Sequence, residues 1–247
     1  MVKHKLYGAI LGDLCGQPYE FPIMVGPYTN VKIHNQESHI TDDTLMTLAT
    51  ARTMLEDITF EQAYKEMGKM YQGDYYGKGF KEWIESPEGT IGNSYGNGCL
   101  MRVSPLMYID DFEQIKNKSI ESCFCSHLNP ISIYSVMKLT SLYTVYNQRR
   151  LDIKQRLGSR IKPFTKFVVK ADGTIDYIEK LYWGALSTHE AILKAVKSGG
   201  DTDTNASIIG ELMNYTYNDI TKRDVLYVES KLDDYLLGIL KAFNEKY

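Results

Sequence analysis

Apolar positions recur at three- and four-residue steps along much of the chain, the period of a helix with one buried face. The stretch 45–55 places Leu45, Leu48, Ala49, Arg52 and Leu55 at those steps, and its Leu, Met, Ala and Arg residues all favour helix. Phe60 to Tyr71, Ile131 to Tyr146 and Tyr182 to Val196 repeat the pattern. Val225 to Phe243 predicts a long amphipathic finish carried by Leu226, Val228, Leu232, Tyr235, Leu236 and Leu240. Strand signals are few: the run 166–174, with its Ala171-Asp172-Gly173 turn, predicts at most one small β-hairpin. No Pro/Ser/Gly-rich linker and no repeat divides the chain, so residues 1–247 read as one mainly α domain.

Composition narrows the function classes. With 247 residues, 43% of them hydrophobic, the chain can bury about 70–75% of its unfolded surface and needs no staple. Cys15, Cys99, Cys123 and Cys125 fit neither a zinc site nor a disulfide framework, and are expected as reduced thiols. The sequence contains no run of about 18 apolar residues and no signal-peptide pattern at its start, which predicts a cytoplasmic protein without a membrane partner. A formal charge of −3 argues against wholesale nucleic-acid binding. One segment differs: residues 149–170 carry eight basic side chains against Asp152 alone, a solvated face or a steering surface for a polyanion.

The chemistry concentrates in two short motifs, Thr41-Asp42-Asp43-Thr44 and Asp201-Thr202-Asp203-Thr204, each at the start of an expected helix. Asp and Thr cap helix N-termini well, which is the plainest account of either motif alone. A cap needs one such residue, however, whereas each motif supplies two carboxylates and two hydroxyls that repel unless protonated or neutralised. Oxygen ligands of this kind suit a hard cation, Mg2+ with Mn2+ or Ca2+ as alternatives, rather than zinc, and two motifs can build two adjacent sites. Gly199 and Gly200 allow a sharp backbone turn before Asp201. Between the motifs, Gly96 and Gly98 permit positive φ, so that loop amides with Ser94 and Asn97 can cradle a phosphate, with an ordinary inter-helix loop as the alternative. Tyr95 offers a stacking face, although the chain has 19 tyrosines and most serve core or surface.

Taken together, GAILGDLCGQPYE at 8–20, TDDT at 41–44, SYGNGCLMRVSP at 94–105, Ser126-His127 and SGGDTDTN at 198–205 resemble, in order and placement, the ADP-ribosylglycohydrolase family. The resemblance implies an all-α orthogonal helical bundle with a dinuclear metal cleft. It makes Thr41, Asp42 and Asp43 ligands of one divalent cation, Asp201 and Thr204 ligands of the other, and Asp203 the shared ligand. It places Glu20 near the second cation and the scissile bond. Glu20, Asp42 and Asp43 are the candidates for the acid and base duties, with no assignment between them. It assigns Ser94, Tyr95, Gly96, Asn97 and Gly98 to the ADP-ribose loop and puts His127 beside the ligand. The implied activity is metal-dependent hydrolysis of the N- or O-glycosidic bond between ADP-ribose and a modified target. That target is a protein with an arginine or serine linkage or an ADP-ribosylated nucleic acid, and the enzyme is expected as a monomer. A non-catalytic ADP-ribose binder or crystallin-like relative is the alternative, and a two-metal phosphoesterase a second. The chain is shorter than typical members, and Ser94 and Cys99 depart from common residues at those positions, so the linkage does not transfer.

Overall fold

The computed structural model describes residues 4–20, 27–146 and 170–247. Twelve α-helices run through them: α1 (Tyr7–Gly16), α2 (Asp42–Leu55), α3 (Phe60–Met70), α4 (Lys78–Ile84), α5 (Gly98–Met101), α6 (Phe112–Phe124), α7 (Pro130–Ser141), α8 (Ala171–Gly184), α9 (Thr188–Ser198), α10 (Thr202–Tyr217), α11 (Lys222–Glu229) and α12 (Asp234–Lys246). The described residues contain no strand, only isolated bridges between Asn93 and His127 and between Gly96 and Lys170. The fold is all-α. None of the helices among the described residues is long and apolar enough to cross a membrane. All four cysteines are free thiols.

The periodic stretches 45–55 and 60–71 lie in α2 and α3, whereas three other expectations need correction. The stretch 182–196 is split between α8 and α9 because Ser187 turns extended and its side chain accepts the Glu190 amide at 3.2 Å, starting a new helix. The finish at 225–243 breaks in the same way at Asp233, which caps α12 through the Leu236 amide at 2.9 Å, and Leu226 is left exposed. The expected hairpin fails where it is described: Ala171-Asp172-Gly173 is the first turn of α8, whose Ala171, Thr174, Ile175 and Ile178 bury at helical spacing. The rest of that segment, residues 166–169, and the basic run up to 169 lie outside the described residues. Ile131 to Tyr146 comprises most of α7 and a wider π turn at Leu142–Tyr146.

The arrangement is set where α1 meets α10. Helix α1 is buried along its whole length, and α10 is buried from Thr202 to Asn214. Gly8, Gly12 and Gly16 form a stripe with a four-residue step, one helix face. A Cβ at Gly12 would stand 2.1 Å from the Ala206 carbonyl oxygen, and one at Gly16 would stand 2.3 Å from that of Thr202. The two backbones therefore touch, which only glycine permits at these positions.

Two helices are capped by acids from other helices. Leu6, preceding α1, has φ 70° and offers no cap of its own. The Glu211 carboxylate of α10 accepts the amides of Leu6 at 2.8 Å and Ala9 at 3.1 Å, together with the Tyr108 hydroxyl. Burial pushes Glu211 up to about 7 against these bonds, which hold it down. In the same manner Asp13 of α1 accepts the amides of Thr41 at 2.9 Å and Thr44 at 3.2 Å, with both hydroxyls, at the start of α2.

A third acid clamps the segment leading to α2. One oxygen of fully buried Asp224 receives His34 Nε2 at 2.7 Å and His189 Nε2 at 2.9 Å, while the other accepts the amide and hydroxyl of Thr221. Burial alone would raise Asp224, but the bonds from His189, Thr221 and His34 outweigh it and hold its carboxyl well below the usual range. The Asp224 bond in turn raises His189.

Two predictions follow from this packing. Gly12→Ala forces the α1 and α10 backbones apart and should cost on the order of 1–3 kcal/mol or more, read as a drop in denaturant midpoint; an unchanged midpoint would contradict the contact. The His189 contribution is complete below its ordinary value of about 6.5 and fades as pH rises through the raised folded value. Asp224→Asn should therefore lower the melting temperature more at pH 5.5 than at pH 9, and an equal loss at both would reduce Asp224 to a helix cap.

Candidate active site

A cavity of about 660 Å3 opens beside the N-termini of α2 and α10. Glu20, Asp42, Asp201, Asp203 and Thr204 line one part of it, and Ser94, Gly96, Asn97, Gly98 and His127 line another. Thr41 and Asp43 are buried just behind the wall. Tyr95 is turned away: half-exposed, it carries the Lys170 ammonium 5.3 Å from its ring centroid. The sharp turn expected before Asp201 is present, with φ 78° at Gly199 and 83° at Gly200.

The two acidic motifs do different things as caps. Thr41 caps α2, accepting the Asp43 amide at 3.3 Å. Asp201 stands at the cap of α10 but makes no side-chain cap bond; its Oδ2 accepts Asn97 Nδ2 at 2.7 Å instead. Asp43 Oδ2 accepts the Thr204 hydroxyl at 3.1 Å, while Asp43 Oδ1 is buried without a partner. Capping thus leaves most of these oxygens unexplained.

The carboxylates converge. Oxygens of Asp13, Asp43 and Asp203 lie within 4.8 Å of one another, as do those of Glu20, Asp201 and Asp203, so Asp203 belongs to both groups. Asp42 is in neither group, although it lines the cavity and its charge interacts with Asp13, Asp201 and Glu20. Asp13 is an addition that the two acidic motifs do not reveal. Its signal in the sequence is a single acid inside the apolar run Ala9 to Cys15, where a buried charge demands partners.

Burial and mutual repulsion push Asp42, Asp43 and Asp203 well above the usual carboxylate range, and they push Glu20 up to about 7 even though its bond to Asp203 opposes the rise. Among the described residues, no lysine, arginine or histidine forms an ion pair with any of them. An all-oxygen donor set, uncompensated charge and the orphaned Asp43 Oδ1 fit a hard divalent cation. Asp13 is the poorest donor of the set, since both its oxygens already serve the start of α2.

The Ser94–Gly98 loop departs from the expected phosphate nest. Neither Gly96 nor Gly98 has positive φ, the Gly96 amide bonds Ser94 Oγ at 3.1 Å, and the Asn97 side chain is spent on Asp201. Gly98 matters for space: a Cβ there would lie 3.3 Å from His127 Nε2.

His127 is buried, and burial and the Arg102 charge lower its pKa well below 6.5, so it is neutral. Arg102 can only donate, and it donates to Ser126 Oγ at 2.7 Å; Ser126 in turn bonds His127 Nδ1 at 2.8 Å. This chain makes Nδ1 the acceptor and leaves the proton on Nε2, a donor at the cavity wall. The Arg102 guanidinium stacks 4.1 Å from the Tyr64 ring centroid and pairs with no carboxylate among the described residues.

The family model of ADP-ribosylglycohydrolases matches residues 2–217. A solved structure described as an "ADP-ribosylglycohydrolase-related protein complex" shares the fold with a TM-score of 0.72, covering 98% of each chain at 16% identity. No curated protein matches the chain.

Relieving the charge cluster should have opposite effects with and without cation. In EDTA, Asp203→Asn should raise the melting temperature, because it removes one member of both acidic groups. Adding Mg2+ should stabilise the wild type, by about 2.7 kcal/mol at a hundredfold excess over Kd, and the variant much less. Equal cation responses would rule out a site at Asp203.

Proposed function

The chain belongs to the ADP-ribosylglycohydrolase family, and on that premise we propose that it hydrolyses the glycosidic bond between ADP-ribose and a modified target with the help of divalent cations. The observation that carries this reading is the pair of acidic groups joined at Asp203, set beside a cavity whose wall also presents neutral His127 and buried Arg102. Asp43, Asp203 and Asp201 would hold the cations, with Thr41, Asp42 and Thr204 completing the set and Glu20 standing beside them. Bound there, divalent cations supply Lewis-acid charge and orient hydroxyl and water oxygens.

The polarity of the cavity orders the substrate. Arg102 and the His127 Nε2 proton favour the anionic diphosphate, while the carboxylate side receives the distal ribose, whose hydroxyls can donate to it. In the overall reaction the oxygen of water bonds the anomeric carbon and the glycosidic bond breaks with its electron pair on the leaving atom. The proton lost by the water ends on the leaving group.

Glu20 is our candidate to carry that proton. It lines the cavity, mostly buried, beside Asp203, and in the cation-free protein burial and the Asp201 charge push its carboxyl up to about 7. Asp43, sealed behind the wall, is a ligand rather than a proton carrier. Asp42, at the cavity surface, remains a second candidate for orienting the water.

Free ADP-ribose released from ADP-ribosylated peptides tests the reading directly. Release should require Mg2+ or Mn2+, stop with EDTA, and fall at least about a hundredfold in Asp203→Asn. Glu20→Gln should keep the cation-induced thermal shift and lose a similar factor in kcat. Tight ADP-ribose binding without release from any linkage would instead identify a binder, and AMP or phosphate as product a phosphoesterase.

A further inference from the structure

Arg102, at the end of α5, is the largest fully buried side chain among the described residues, and it carries its charge there without a carboxylate partner. Its guanidinium rests on the Tyr64 ring, whose hydroxyl bonds Thr50 Oγ1 at 2.9 Å, and its Nε has no acceptor. Cys99, Cys123 and Cys125 complete the surroundings. Burial holds the Cys99 and Cys125 thiols up, while the Cys99 bond and the Arg102 charge draw Cys123 down. Glu61, the acid that bears on Cys125, is already paired with Lys65 at 2.9 Å. A buried cation without a carboxylate is costly, and what it donates to shows where its charge acts.

We propose that Arg102 and Ser126 are positioning residues that act through His127: the guanidinium orients the Ser126 hydroxyl, the hydroxyl donates to His127 Nδ1, and the imidazole thereby presents Nε2–H to an anionic oxygen of the ligand. The inference deepens the glycohydrolase reading and rests on it for the ligand, the diphosphate of ADP-ribose. The relay itself rests on the bonds.

The directions of those bonds agree. Arg102 Nη2 donates to the Ser122 carbonyl at 2.9 Å and to Ser126 Oγ at 2.7 Å. Ser126, having accepted, still has its own hydrogen to give and finds His127 Nδ1 at 2.8 Å. Nη2 itself lies 3.5 Å from Nδ1, and a guanidinium cannot accept, so both neighbours of Nδ1 call for a lone pair there. A neutral imidazole with an accepting Nδ1 carries its proton on Nε2.

The ring is also held from outside the relay. Asn93 and His127 form a β-bridge, and the His127 amide donates to the Cys123 carbonyl at 2.7 Å. Nε2 lies beside Gly98 in the cavity wall, where a Cβ would stand 3.3 Å away. Burial and the Arg102 charge together disfavour a second proton on the ring. The donor at Nε2 is therefore kept through the mildly acidic range without titrating, and the positive field behind it strengthens its bond to an anion. Arg102 serves the ligand at one remove, through Ser126 and His127, which is why it can be sealed at 1% exposure.

Two measurements on the full chain test the relay. The first is nitrogen NMR of histidine-labelled protein, with His127 assigned by its absence in His127→Ala. Wild-type Nδ1 should stay unprotonated from about pH 8 to about pH 5.5, whereas Ser126→Ala and Arg102→Met, which remove the donation to Nδ1, should place a proton on it in a measurable share of molecules. Arg102→Lys, which keeps the charge and a donor, should restore the wild-type spectrum. A protonated Nδ1 in wild type, or an unchanged spectrum in Ser126→Ala, would overturn the proposal whether or not Arg102→Met folds. The second is a double-mutant cycle on calorimetric binding of ADP-ribose with Mg2+ present. His127→Ala should weaken binding about tenfold and Ser126→Ala about threefold, and the double variant should bind no more weakly than His127→Ala, because Ser126 acts only through the ring. Additive losses, or no loss in His127→Ala, would refute the relay. Additive losses with ADP-ribose still released from peptides defeat the relay alone, whereas a non-additive cycle without release from any linkage defeats the glycohydrolase reading alone.

Discussion

Everything at the site depends on the backbone contact between α1 and α10. Gly8, Gly12 and Gly16 let the two helices meet without intervening side chains, and the last of them lies against Thr202 and Asp203. This fixes the start of α10 against the end of α1, so that Glu20, four residues beyond Gly16, arrives beside Asp201 and Asp203. The same contact turns Asp13 toward α2, where it holds the first turn that carries Asp42 and Asp43. Two acidic motifs about 160 residues apart in sequence are thereby brought together by three missing side chains.

That geometry is costly in charge. Each buried carboxylate loses hydration, and each neighbour adds repulsion, which is why burial heads the causes that raise Asp42, Asp43 and Asp203. Buried acids elsewhere in the fold are instead well bonded. Glu211 gathers two amides and the Tyr108 hydroxyl at the start of α1, and Asp224 gathers two imidazoles and Thr221, so neither contributes to the unbalanced charge at the cavity.

The helical character was legible because burial of one face imposes a period that single-sequence reading detects, as at α2 and α3. The breaks at Ser187 and Asp233 were not, since apolar residues continue on both sides and only the local cap bonds end one helix and begin the next. The acidic motifs stood out because each holds more carboxylates than capping needs. Asp13 did not, because its partners Thr41 and Thr44 are 28 and 31 positions away and a lone acid in an apolar run reads as an interruption. Two glycines in the Ser94–Gly98 loop suggest positive φ, but neither adopts it, and Gly98 leaves room for His127.

Asp13 ties the charge of the site to its scaffold. Protonation would be the simplest way to relieve a crowded acidic cluster, and for Asp43 or Asp203 it disturbs few bonds. For Asp13 it would weaken an acceptor that serves two amides and two hydroxyls, and so loosen the first turn of α2 that presents Asp42 and Asp43. Under the proposed reading, a cation held by Asp43, Asp203 and Asp201 neutralises the cluster and leaves the cap bonds of Asp13 intact. The acid that helps create the repulsion is then the one that makes cation binding, rather than protonation, the relief compatible with the fold.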